Sequence, residues 1–157
     1  MTRHLDDELN KLNTALLKMA SLTEEAIYKS IDALKNKDTK LAVSVIENDK
    51  QIDRLELIID EMVVDLLALY QPMAIDLRFI LIGMKINAEM ERIADLSVNI
   101  SQRVIEIGER PMLKPIKEII QMSEIARKMV RNSIDAFVNH DKKLAKEVIL
   151  SDPEANE

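Results

Sequence analysis

An internal repeat constrains this chain more than any other feature. Ser30-Ile31-Asp32-Ala33 returns as Ser133-Ile134-Asp135-Ala136, and a shift of 103 over residues 30–49 gives twelve identities in twenty positions, at Ser30, Ile31, Asp32, Ala33, Asn36, Asp38, Lys40, Leu41, Ala42, Val45, Ile46 and Asp49. Self-similarity of this length means that one supersecondary unit has been copied and that the copies pack as equivalent bundles. The second copy stops early. What the first carries after about Asp53, including its most acidic helix face, falls beyond Glu157 in the second. The expected organisation is a whole unit over residues 1–110 and a partial one over 111–157, with two helices of the second unit present and its third missing.

Composition narrows the fold class. With 2 Gly and 4 Pro in 157 residues, 47% hydrophobic and 3% aromatic, the chain predicts an all-α antiparallel helical bundle with a Leu/Ile/Val/Met core. A net charge of −6 argues against nucleic acid as a partner, since phosphate contacts need clustered Lys and Arg. Acidity of this kind fits a cytoplasmic location. The absence of cysteine excludes a disulfide frame, a thiolate metal site and a thiol nucleophile. The first residues, Met1 to Asp7, lack the apolar core of a signal peptide, and the longest apolar stretch, Phe79 to Met84, is too short to span a bilayer. Any membrane association is expected to be peripheral and to come through partners.

Periodicity and breakers place the helices. Leu5, Leu9, Leu12, Leu16 and Met19 alternate steps of four and three, and Ala26, Ile27, Ile31 and Leu34 extend the stripe to the polar break at residues 35–38. Asp38 suits an N-cap for a second helix carrying Leu41, Val45, Ile46, Ile52, Leu55, Ile59, Met62 and Leu66, which stops before Pro72. A third helix is predicted from about Ile75 to Ile107, ended by Gly108 and Pro111. Residues 108–115 form the linker and the expected hinge. From there Ile116, Ile119, Ile120, Met122, Ile125, Met129, Val130 and Ile134 restart the pattern, with a second break at residues 138–141 and Asp141 as the next cap.

The third helix is where chemistry is expected. Phe79, Ile82, Ile86, Ile93, Leu96, Ile100 and Val104 predict its buried seam. A second face begins with Leu77, Leu81, Met84 and Ala88 and continues as Glu91, Asp95 and Asn99. A step of four turns each side chain by only about 40°, so these three oxygen-bearing groups form a ladder along one side. Two carboxylates in that relation repel, and a neighbouring Arg or a cation must compensate. Oxygen ligands argue for Mg²⁺, Mn²⁺, Ca²⁺ or iron over a structural zinc, and a ferritin-like di-iron site is disfavoured because no Glu stands three residues before His4 or His140. Taken alone, such a pair is more often a solvated surface feature.

The wider string changes the balance. Gln71, Pro72, Ala74, Asp76, Leu77 and Arg78, followed by Glu89, Glu91, Arg92, Asp95 and Asn99, resemble the signature of the PhoU family, accessory proteins of bacterial high-affinity phosphate uptake, and Asp49 and Ile52-Asp53 fall where that family shows Asp and Ile-Asp. The resemblance covers nearly the whole chain and implies tandem three-helix units, in agreement with the repeat. It also implies a metal motif at Glu91, Asp95 and Asn99, holding a divalent or trivalent ion such as iron, manganese, magnesium or zinc. Its second acidic motif, on the last helix, has no counterpart before Glu157. The implied function is an adapter between the phosphate ABC transporter ATPase and a sensor histidine kinase, restraining the phosphate-starvation response.

Other residues keep simpler readings. Arg78, Lys85 and Arg92 line one side of the third helix at seven-residue spacing, and with Asp76 and Glu89 they are first of all charge-pairing residues, with a partner contact as the lesser alternative. No Ser-His-Asp set, phosphate-binding loop or acid/base cleft is present, so the chain is not expected to be an enzyme. A metal-storage protein and a plain structural scaffold are the competing functions. The apolar stripes of Ile116–Ile134 and of Leu144, Val148 and Ile149 lack a covering third helix, so either they pack back on the first unit in a non-family arrangement or, the preferred reading, a second molecule covers them by helix exchange in a homodimer.

Overall fold

A computed structural model describes residues 2–111 and 116–156, which form five α-helices, with no strand among the described residues: α1 (Thr2–Asn36), α2 (Thr39–Tyr70), α3 (Ala74–Ile107), α4 (Lys117–Val138) and α5 (Lys142–Asn156). The breaks fall where Gly, Pro and the Asp caps place them. Of the expected hinge, residues 112–115 lie outside the described residues. α1, α2 and α3 pack against one another, α4 lies on α1, and α5 packs on α4.

The repeat is visible in backbone hydrogen bonds. At the end of α1, Lys37 takes a left-handed φ of 52°, the Asp38 N–H donates to Ala33 O at 2.9 Å and the Lys37 N–H to Leu34 O at 3.4 Å. Asp38 Oδ1 then accepts from the Leu41 N–H at 3.0 Å. At the end of α4 the same three bonds recur 103 positions on: Asp141 N–H to Ala136 O at 2.8 Å, His140 N–H to Phe137 O at 3.3 Å, and Leu144 N–H to Asp141 Oδ1 at 3.0 Å. Each junction is a Schellman closure fused to an Asp N-cap, which satisfies orphan carbonyls of one helix and an orphan amide of the next.

The core follows the predicted stripes of α1 and α2. Leu12, Leu16 and Met19 of α1 and Ile59 of α2 have no exposed surface, Ile52, Leu55, Val63 and Leu66 are buried beside them, and Val45 is buried as well. A fully buried side chain of this size contributes about 1.5–3 kcal/mol.

α3 departs from its predicted seam. Its buried positions are Ile80, Gly83, Asn87, Met90, Ala94, Ser97, Ser101 and Val104, whereas Ile82 and Leu96, expected inside, are exposed, and Phe79, Ile86, Ile93 and Ile100 are half-buried at the flank. The seam is rotated by about one residue, on the order of 100°. Small side chains cause the shift, because they let the helix axes approach. A Cβ added at Gly83 would meet Leu16 Cδ1 at 3.3 Å and the Phe137 ring at 3.7 Å. The larger residues straddle this close contact instead of filling it.

α4 is covered in part by its own chain, packing back on α1. Ile134 joins the core of α1–α3, with Val130 and Phe137 packed around it. Phe137 stacks on Phe79 of α3 with centroids 4.2 Å apart and planes at 3°. Arg131 pairs with Glu24 at 3.0 Å, and the Arg127 guanidinium lies 4.7 Å from the Tyr28 ring centre, so the α1–α4 contact is tied at its polar margin as well. Only the first half of α4 stays open, where Ile119 and Met122 are exposed. No helix among the described residues is long and apolar enough to cross a membrane.

Candidate cation site between the second and third helices

Acidic residues recur along one side of α2 at Asp49, Asp53, Glu56 and Asp60, in steps of four, three and four. This is helical spacing, so they form a row. α3 runs back antiparallel and sets Asp95 and Glu91 opposite that row. Two carboxylate triads result, Asp49/Asp53/Asp95 and Asp53/Glu56/Glu91, each with its ligand oxygens within 4.8 Å of one another and with Asp53 common to both. Among the described residues none of these side chains enters an ion pair.

The electrostatics record the crowding. Burial, then the charges of Asp53 and Asp95, pushes Asp49 up to about 6. Burial, then its hydrogen bond and charge interaction with Asp95, pushes Glu91 up to about 7, and Glu56 and Asp53 add to the effect. Glu56 is raised too, by burial first and then by Asp60 and the other acids of the row. Asp49 Oδ1 is buried and has no hydrogen-bond partner. A buried orphan oxygen beside converging carboxylates is a donor set that fits a hard cation, which would supply the missing partner and reverse the penalty.

Asn87 closes one end of the row. Its side chain has no exposed surface, and its Nδ2 donates to Glu56 O at 3.0 Å and to Asp60 Oδ1 at 3.3 Å.

The structure brings together two of the three residues expected to form the site. Glu91 is half-buried and Asp95 exposed within the triads, while Asn99 is exposed one turn further along α3 and makes no side-chain hydrogen bond among the described residues. Asp76 sits in the first turn of α3, where the helix dipole favours a negative charge. Arg78, Glu89 and Arg92 are exposed, and among the described residues neither they nor Asp76 form an ion pair. Asp49, Asp53 and Glu56 are the members that sequence reasoning left out of the ligand set. Their signal was the helical spacing of acids on α2, which becomes a site only once α3 is laid antiparallel beside it. A separate apolar groove of about 610 Å³ opens between the start of α3 and the α4–α5 junction, with Phe79, Ile82, Ala136, Phe137, Ala145 and Val148 among its walls.

Comparison with known proteins accounts for the fold. The PhoU domain family matches residues 16–104 and 119–157. A phosphate-specific transport system accessory protein PhoU homolog of Aquifex aeolicus is 42% identical over 150 residues, which cover 96% of this chain and 68% of that relative. The homolog of the same description from Zymomonas mobilis is 34% identical over 151 residues, 96% of this chain and 64% of the relative. The chain therefore spans about two thirds of the length of these relatives. The crystal structure of PhoU from Pseudomonas aeruginosa superposes with a TM-score of 0.90 at 34% identity, over 95% of this chain and 72% of that one. The phosphate transport system regulatory protein PhoU of Streptococcus pneumoniae gives a TM-score of 0.87 at 27% identity, over 96% of this chain and 70% of that one. Coverage this complete takes in α4 and α5, so the seating of α4 on α1 is an arrangement this chain shares with those structures. The chain belongs to the PhoU family.

Proposed function

We propose that this chain acts as a regulatory accessory protein of high-affinity phosphate uptake, binding the phosphate ABC transporter ATPase and a sensor histidine kinase in the cytoplasm and restraining the phosphate-starvation response without catalysing a reaction. The observation that carries this reading is the match, over nearly the whole chain, to proteins named as accessories of phosphate transport. Its role is scaffolding: long helices present extended faces, and the exposed Arg78, Glu89 and Arg92 on α3 offer charges for a partner. Exposed Leu57 and Ile58 of α2 and Leu96 of α3 supply apolar surface for a homodimer or a partner protein.

The same reading includes a cation. Asp49, Asp53, Glu56, Glu91 and Asp95 would hold it, with Asn99 as a neutral oxygen at the end of the ladder, and the ion would neutralise a cluster that is otherwise uncompensated. Iron, manganese and magnesium suit the oxygen donors better than zinc does. The functional test is complementation. In a bacterium lacking its own family member, expression of this chain should return a phosphate-starvation reporter to its repressed level in phosphate-replete medium, and the transporter ATPase should co-purify with it. A reporter that stays derepressed, with the chain expressed and folded, would contradict the proposal.

A further inference from the structure

We propose that Asn87 is a positioning residue that sets the register of α3 on α2 and so brings the two carboxylate rows into opposition. The inference rests on the cation reading above for its purpose, but not for its geometry. Of the eight buried positions along α3, seven are apolar or are small groups that slide easily: Ile80, Gly83, Met90, Ala94, Ser97, Ser101 and Val104. Gly, Ala and Ser make a smooth seam, and a smooth seam tolerates axial slip. Asn87 is the exception. Its amide reaches across to α2 and binds two acceptors one turn apart, the Glu56 carbonyl and the Asp60 carboxylate.

That contact is a poor choice for stability alone. Asn87 Oδ1 is buried without a partner, and an unpartnered buried amide oxygen costs free energy that an aliphatic side chain of similar size would not. A buried Asn kept at a seam position at such a cost is the device by which helical bundles select one register over its neighbours. Here register has a chemical consequence. Asp53 and Glu56 face Glu91, and Asp49 faces Asp95, in one alignment. A slip of one turn, about 5 Å, would separate the triads and carry Glu91 past its partners.

The experiment reads register and cation binding separately. The chain contains no cysteine, so spin labels can be placed at two exposed positions, Leu57→Cys on α2 and Leu96→Cys on α3, and their separation measured by double electron–electron resonance in the native and Asn87→Leu backgrounds. The native background should give one narrow distance. Asn87→Leu should broaden it or add a population displaced by about a helical turn, on the order of 5 Å, without lowering the thermal midpoint of the cation-free protein. Asn87→Ala, which cannot clash, should show the same displacement. Mn²⁺ affinity, measured by equilibrium dialysis, should fall about 10–100-fold in both, the usual loss when a supporting residue behind metal ligands is removed. Distance distributions that superimpose on the native one in both variants overturn the inference. A native protein that binds no Mn²⁺ instead sinks the cation reading, and the distance measurement still decides the role of Asn87.

Discussion

The two copies of the repeat have similar local sequences and unequal surroundings. In the first, Met19, Ala33, Ala42 and Val45 are buried, and Val104 of α3 packs against Ala33 and Ala42. Their counterparts 103 positions on are Met122, Ala136, Ala145 and Val148. Only Ala136 is buried, Ala145 and Val148 are half-buried and line the apolar groove, and Met122 is exposed. The junctions are nevertheless the same bond for bond. Capping and turn geometry are therefore decided within about six residues of chain, whereas burial depends on which helices pack alongside. The carboxylate cluster obeys the second rule: it lies where α2 meets α3.

The sharpest test of that contrast is a matched pair of core truncations. Leu16→Ala removes a side chain with no exposed surface and should cost about 2–5 kcal/mol in a denaturant titration. Ile119→Ala, its counterpart in the second copy, removes one that is 40% exposed and should cost about 1 kcal/mol or less. Equal losses would mean that the second unit is as fully enclosed as the first. Next in size is overpacking at the close approach. Gly83→Val drives a branched side chain into Leu16 and Phe137 and should cost about 1–3 kcal/mol by the same titration.

The caps extend the comparison at smaller magnitude. Asp38→Ala should lower stability by about 1 kcal/mol. Asp141→Ala breaks an equivalent bond, but among the described residues α5 packs on α4 alone, so its effect should appear as faster amide hydrogen exchange in residues 142–150 with a smaller change in the global midpoint. Slower or unchanged exchange there would show that α5 is held by more than its contact with α4.

These contrasts show what was legible in the sequence. Helix ends were, because Asp38, Pro72, Gly108 and Asp141 act through local geometry. The apolar stripes of α1 and α2 were, because large aliphatic residues at steps of three and four have one way to be buried. The rotation of α3 was not. Its seam is built from Gly83, Asn87, Ala94, Ser97 and Ser101, and a hydrophobicity pattern gives small residues little weight, so the larger Ile82 and Leu96 drew the predicted seam about one residue away. The site was legible by half for a related reason: Glu91 and Asp95 stand out on a largely apolar face, but Asp49, Asp53 and Glu56 gain meaning only from an antiparallel neighbour far away in sequence.

The smallest expected effect concerns pH and separates the units by charge. Asp49 and Glu91 are raised in the folded state, from 3.8 to about 6 and from 4.5 to about 7. Between those limits the folded protein binds more protons than the unfolded chain, so their contribution is fully present only below the unfolded values and is lost as pH rises through about 6 to 7. The cation-free protein should therefore melt at a lower temperature at pH 8 than at pH 5, and Glu91→Gln should flatten the profile. A melting temperature that rises over this interval would show that the row is compensated in some other way.

The central claim is that the first unit holds a cation between α2 and α3, and equilibrium dialysis with Mn²⁺ tests it most directly. Metal-stripped native protein and the Glu91→Gln/Asp95→Asn variant would be dialysed side by side at pH 7.5, with folding of both verified by circular dichroism. The native chain should bind Mn²⁺ saturably and the variant should lose that binding, since each substitution removes a charged group from one of the two triads. Equal uptake by the two proteins, or none by either, would contradict it.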